Sequence, residues 1–223
     1  GEEGGIVAGK MGHDVILVPY KWWYIEYYQS DSKISPIGIG HYVPLQQVYD
    51  YNPVPEKLDE DKRHHVKGVQ ANVWTEYMYS EEITEWYTYP RIIALSEIAC
   101  SPKEKKDYTD FLRRLENQRV RMDMHGINYF IPLPEDEGHP SCNYVAFVDS
   151  VSLGFSSPEP VKYVYTTDGT EPTSNSKEYT AKLSFRDNTQ LKIRSVVASG
   201  KMGSVRTIEI AKEDYRKSLE GLK

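Results

Sequence analysis

"KGVQANVWTEYMYS", Lys67 to Ser80, reads as a buried strand, "GVQANVW", that ends abruptly in a large aromatic and a carboxylate. Side chains on a strand alternate between its two faces, so Trp74 and Glu76, two residues apart, are expected to point the same way. Whatever Trp74 faces, Glu76 should face too, with Tyr77 just beyond. Upstream, "DVILVP" (Asp14 to Pro19) is a second continuous apolar run of buried-strand type, preceded by a short helix candidate in "EGGIVAGKMG". The polar stretch Asp59 to His65 is helix-compatible. Downstream, Ile83 to Ala99 has helical spacing through Ile92, Leu95 and Ala99, with Pro90 near its first turn or kinking it. Strand and helix signals alternate, which is the pattern of a parallel α/β sheet.

"SPKE" (Ser101 to Glu104) is a helix-start signature, with Ser as cap, Pro at the first position and Glu three residues after the cap. The helix it announces carries an apolar stripe of Phe111, Leu112, Leu115 and Met122 and should end near Gly126. Composition then changes. "PLPEDEGHPSC" (Pro132 to Cys142) is rich in proline and acid, and residues 135–142 read as a linker. Beyond it come "YVAFVDSVSLGF", "VKYVYTTDG", "LKIRSVVAS" and "SVRTIEI", separated by the turn signals Ser157-Pro158, Asp168-Gly169, Arg186-Asp187-Asn188 and Ser199-Gly200. Short strands so punctuated predict a small antiparallel sandwich over residues 143–212. In residues 213–223, Tyr215, Leu219 and Leu222 lie at helical spacing, as for a short helix or a fraying tail.

Composition narrows the function. A net charge of -6, from 33 acidic and 27 basic residues spread along the chain, offers no basic face to a nucleic acid. No run approaches the ~20 apolar residues of a membrane span, so no membrane insertion is expected, and "GEEGGIVAGKMG" lacks the pattern of a signal peptide. Cys100 and Cys142 form neither a metal-ligand cluster nor a disulfide framework. His64 and His65 are adjacent rather than four apart, which suits a solvated helix end better than a metal site. "GIGIGH" does not match a dinucleotide fingerprint. No metal or cofactor is therefore expected. The 18 Tyr and 4 Trp gather in "YKWWYIEYY" and "WTEYMYSEEITEWYTY". Such rings beside carboxylates suit sugar recognition, since C–H faces stack on rings while hydroxyls seek hydrogen bonds. Taken alone, packing of core and surface is the simpler account.

"GEEGGIVAGKMGHDVILVP", "YYQSD", "YVPLQQVYDYNPVP", "GVQANVWTEYM" and "YPRIIALSEIACSPKEKKDYTDFLRRLENQRVRMDMHGINY" together resemble the C-terminal part of the catalytic domain of bacterial β-N-acetylhexosaminidases, glycoside hydrolase family 20. The resemblance covers residues 1–134. The remainder is similar to the β-sandwich that often follows this domain, with "YVYTTDGTEPTSNSKEYT" as its hallmark. The implied fold is a partial (β/α)8 TIM-barrel segment, its last strands and helices, followed by a small all-β antiparallel sandwich.

The resemblance also implies roles. Trp74 matches the tryptophan that walls the N-acetyl sugar, and Glu76 the glutamate that bonds a sugar hydroxyl. Tyr24, in "WYIEYYQ", matches the tyrosine whose hydroxyl bonds the acetamido carbonyl. Glu26 stands where the family usually has Asp, keeping the charge with one extra methylene near the sugar's 4- and 6-hydroxyls. Trp22, Trp23, Tyr20 and Tyr27 could line outer subsites but more simply pack the loop. The family's chemistry is substrate-assisted: the acetamido oxygen attacks, a glutamic acid protonates the leaving oxygen, and the preceding aspartate orients the acetamido group. That Asp-Glu pair is not recognisable here. Asp59-Glu60 and Asp136-Glu137 do not follow buried strands and read as solvated charge.

By strand count the chain holds the last two of eight barrel strands. The resemblance implies an exo-enzyme acting on glycans that end in N-acetylglucosamine or N-acetylgalactosamine, located in the periplasm or at the cell surface. It also implies exposed edges that favour self-association or association with the rest of a barrel. The competing reading is a non-catalytic carbohydrate-binding or interaction protein built from a degenerate barrel and a β-sandwich.

Overall fold

Strands β1 (Val15–Leu17) and β2 (Val66–Val69) pair in parallel, with Val15 opposite Val66, Leu17 opposite Val69, and an irregularity after Val15. Parallel neighbours need a long crossover. Here it contains helices α2 (Tyr20–Trp23) and α3 (Leu45–Asp50) and a 3-10 helix, Glu60–His65, while α1 (Glu2–Lys10) precedes β1. These elements come from a computed structural model that describes residues 1–213. The helix expected through Tyr215, Leu219 and Leu222 lies outside the described residues.

The helical span expected over Ile83 to Ala99 is two helices, α4 (Glu81–Thr88) and α5 (Arg91–Cys100). Proline restricts the residue before it to extended conformations, and Tyr89 is extended (φ -98, ψ 141), ending α4. Helix α4 starts where Ser80 Oγ accepts from the Ile83 amide. The start expected at Ser101 is also displaced. Ser101 and Pro102 lead only into a 3-10 turn, Lys103–Lys105, and α6 (Tyr108–Met124) begins after Asp107, whose carboxylate caps the Asp110 amide at 3.0 Å. Aspartate at a helix start satisfies an orphan donor and favours the dipole, so it defines the cap. The stripe of α6 is as expected at Phe111, Leu115 and Met122, all buried, and Gly126 follows the helix with φ +71. Phe111 and Leu115 pack with Leu17, Trp23, Val48, Tyr49, Ala94 and Ile98 in one core.

The chain divides into two compact units: residues 1–29 with 37–130, and residues 30–36 with the chain from 131 on. Among the described residues, the regular elements of the second unit are all strands. Strands β4 (Tyr144–Phe147), β7 (Lys162–Thr166), β8 (Lys177–Glu178), β10 (Thr189–Val196) and β11 (Arg206–Lys212) form one sheet in the order β4-β11-β10-β7-β8. It is antiparallel except for β4 and β11, which run parallel. Pairs β5 (Val151–Leu153) with β9 (Leu183–Phe185), and β3 (Glu135–Asp136) with β6 (Phe155–Ser156), are antiparallel. Alternation aims Leu191 and Ile193 of β10 and Ile208 and Ile210 of β11 inward, where they meet Phe147, Leu153, Phe155 and Phe185.

Residues 135–142 are not a linker. Glu135–Asp136 is strand β3, and Asp136 is buried rather than solvated, in a bidentate ion pair with Arg206 at 2.8 and 3.0 Å. Arg206 occupies the inward face of β11 and also donates to the carbonyls of Pro134 and Cys142. A guanidinium on an apolar face needs a carboxylate, and the acidic segment supplies it. Composition alone had concealed this because the partner lies some seventy residues away.

Candidate functional site

The first unit gathers the four expected pocket residues where β1 and β2 run out. After β2 the ladder continues irregularly: the Gln70 amide donates to Leu17 O, the Asn72 amide to Trp23 O, and the Ile25 amide to Asn72 O. Tyr24 and Asn72 thus form an isolated parallel bridge. This juxtaposition brings Tyr24 and Trp74 together, ring centroids 6.2 Å apart and planes at 66°.

The expectation that strand alternation aligns Trp74 with Glu76 does not hold in that form. Regular pairing stops at Val69, and Glu76 lies in a turn closed by the Met78 amide on Thr75 O. Trp74 is 47% exposed and Glu76 is exposed. What unites them is Glu26. Its carboxylate accepts a long hydrogen bond, 3.5 Å, from the Trp74 amide, and Glu76 lies near enough for its charge to act on it.

Glu26 is buried, unlike Glu76. Burial pushes its carboxyl above the ordinary value; its own amide and that of Trp74 oppose this, Glu76 reinforces it, and Arg91 opposes it. The extra methylene relative to aspartate therefore ends in a partly dehydrated carboxylate at the Trp74 amide.

Further rings surround Tyr24 or its neighbours. Tyr20 and Tyr27 lie 6.1 and 5.7 Å from Tyr24, and each also approaches His41, at 6.3 and 5.5 Å. Tyr20 and His41 are exposed, whereas Trp23 is fully buried and packs on Tyr51 at 4.4 Å. Trp22 also meets Tyr51, at 5.1 Å. The two tryptophans thus serve the core side of the loop. The His41 loop is pinned by the Tyr28 amide on His41 O and the Val43 amide on Tyr28 O, and Gly40 turns it with φ +85.

Arg91 was not singled out by the sequence, although a signal was there: one arginine directly after a proline, opening the mainly apolar "RIIALSEIA". It is fully buried behind Glu26. Asp59-Glu60, by contrast, is exposed at the start of a 3-10 helix. Among the described residues no group of three His, Cys, Asp or Glu is placed to hold a metal ion, and no helix is long and apolar enough to cross a membrane.

Comparison with known proteins fits this arrangement. Residues 2–103 match the family "Glycosyl hydrolase family 20, catalytic domain", and residues 143–207 match "Chitobiase/beta-hexosaminidase C-terminal domain". A β-hexosaminidase of Porphyromonas gingivalis is 49% identical over 221 residues, covering 99% of this chain and 28% of the relative. An exo-β-N-acetylglucosaminidase structure from Vibrio harveyi superimposes with a TM-score of 0.53 at 28% identity, over 59% of this chain and 21% of that one. A Streptomyces plicatus β-hexosaminidase variant in complex with its product GlcNAc gives 0.51 at 26% identity, over 56% and 25%. The chain spans less than a third of the length of these proteins. It belongs to glycosyl hydrolase family 20, carrying the C-terminal part of the family's TIM-barrel catalytic domain together with the chitobiase/β-hexosaminidase C-terminal domain.

Proposed function

We propose that this chain forms the sugar-holding part of an exo-β-N-acetylhexosaminidase, which removes terminal β-linked N-acetylglucosamine or N-acetylgalactosamine by substrate-assisted, retaining hydrolysis. The observation that carries the reading is the edge-to-face meeting of Tyr24 and Trp74 beside the buried Glu26 carboxylate. In this reading the Trp74 ring walls the N-acetyl sugar. The Tyr24 hydroxyl donates to the acetamido carbonyl, holding its oxygen towards the anomeric carbon. Glu76 and Glu26 accept from sugar hydroxyls. The GlcNAc product bound by the Streptomyces relative supports the choice of sugar.

We read neither Asp59-Glu60 nor Asp136-Glu137 as the pair that protonates the leaving oxygen and orients the acetamido group. Asp136 is committed to Arg206, and Asp59-Glu60 sits in an exposed helical turn. We therefore propose that the 223-residue chain by itself binds but does not hydrolyse, since general-acid protonation contributes a large factor in rate. Export to the periplasm or cell surface is proposed with the function and is tested by cell fractionation.

The purified chain is assayed with a chromogenic β-N-acetylglucosaminide and titrated with a thioglycoside analogue of N-acetylglucosamine. Binding without turnover is expected. Turnover abolished by changing a carboxylate of this chain overturns the division of roles. Absence of binding overturns the pocket and favours an interaction module.

A further inference from the structure

Arg91 is the first residue of α5, and its side chain is fully buried. Its three hydrogen bonds all reach main-chain carbonyls: Nη1 donates to Val43 O at 3.1 Å, and Nη2 donates to Tyr87 O at 2.8 Å and to Ile25 O. Two of those carbonyls belong to the loops that build the pocket. Ile25 lies between Tyr24 and Glu26, and Val43 follows the His41 segment, which is tied to Tyr28 by main-chain bonds of 3.0 and 2.7 Å. One planar head group thus clamps both loops from behind. Burying a guanidinium is costly, and an apolar residue of similar volume would fill such a place at less cost if packing were its only task. Neutral carbonyls accept from Nη1 and Nη2 without balancing the charge, and Nε is buried with no hydrogen-bond partner. Glu26 and Tyr87 are the acidic groups that act on it, and Glu26 is the carboxylate among them.

We propose that Arg91 is a positioning residue for the sugar pocket: its guanidinium clamps the Ile25 and Val43 carbonyls and so places Glu26, the residue after Ile25, where a sugar hydroxyl meets it. This rests on reading the pocket as an N-acetylhexosamine site. Burial pushes the Arg91 pKa down to about 9, which leaves it cationic at neutral pH. The groups that face Glu26 divide. The Trp74 amide, its own amide and Arg91 favour the anion, while burial and Glu76 disfavour it; Tyr27, in turn, feels the Glu26 charge. Removing the Arg91 charge deletes one of the favouring groups, so Glu26 then holds its proton to higher pH.

The test uses the 223-residue chain and the thioglycoside analogue, with binding followed against pH and the Glu26 carboxyl followed by 13C NMR. In the native chain, binding weakens as pH falls through the Glu26 transition. Arg91→Met moves both midpoints upward. Arg91→Lys keeps the charge but not the planar fork, so binding weakens about fivefold with the midpoint in place. In a Glu26→Gln background the Arg91→Lys loss shrinks to less than about twofold, because the partner through which it acts is gone. Should Arg91→Met fail to fold, that last comparison decides, since a general structural defect persists unchanged in the Gln background. Undiminished loss there, or an unmoved midpoint in folded Arg91→Met, overturns the proposal. Binding that is present but indifferent to Arg91 overturns this inference alone, whereas a native chain that binds no analogue overturns the pocket reading and this one with it.

Discussion

The ring of Tyr24 meets that of Trp74 at 66° with centroids 6.2 Å apart, and the main chain of Tyr24 bridges Asn72, two residues before that tryptophan. The backbone bridge is what sets the ring geometry. Trp74 is 47% exposed, so its removal costs little packing, while loss of a central stacking ring costs a ligand on the order of 2 kcal/mol. Trp74→Ala is expected to weaken analogue binding about thirtyfold and leave the unfolding midpoint nearly unchanged, as calorimetry and thermal unfolding would show. A large loss of stability with intact affinity would assign Trp74 to the fold.

Glu26 has the opposite balance. Its folded pKa lies above the ordinary carboxylate value, chiefly through burial. A raised carboxyl contributes stability that is fully present below its unfolded pKa and is lost as pH rises through the folded one. Glu26→Gln should therefore be at least as stable as the native chain at pH 7, with that relative advantage fading on acidification. Its affinity for the analogue should fall about tenfold, the scale of one hydrogen bond to a charged group. Thermal unfolding across pH 4 to 8 beside binding at pH 7 checks both; a variant less stable at pH 7 than at pH 4, relative to native, contradicts the sign.

Gly40 holds φ +85, and a Cβ there would run into the Tyr27 ring, which itself lies 5.7 Å from Tyr24. An L-residue in that region costs about 1–2 kcal/mol before any clash. Gly40→Ala is expected to lower stability by at least that much and to weaken sugar binding by displacing Tyr27. Chemical unfolding and analogue titration report each effect, and no change in either would show the loop to be slack.

Asp136 and Arg206 form a buried pair, with both side chains 3% exposed. Asp136→Asn leaves the guanidinium without its counter-charge and should cost about 3–5 kcal/mol, whereas Asp136→Leu combined with Arg206→Met should cost far less. Urea unfolding of the two variants tests this. Equal losses would mean that the hydrogen bonds of Arg206 to Pro134 and Cys142, not its charge pairing, hold the segment.

The sequence by itself determined the order of the main elements and singled out Tyr24, Glu26, Trp74 and Glu76 as candidates. Two apolar runs gave the parallel pair, the spacing of Phe111, Leu115 and Met122 gave the long helix, and turn residues marked the strands of the second unit. Such features arise from periodicity and backbone preference within a few residues, so they are legible locally. Tertiary structure decided the rest. The Trp74 amide meets a buried Glu26 while Glu76 lies in a turn beyond the strand, and Asp136 enters a core because Arg206 waits on a distant strand. Arg91 is buried and holds carbonyls of two separate loops. Burial of charge depends on which distant partner arrives, and no local pattern in the chain contains that information.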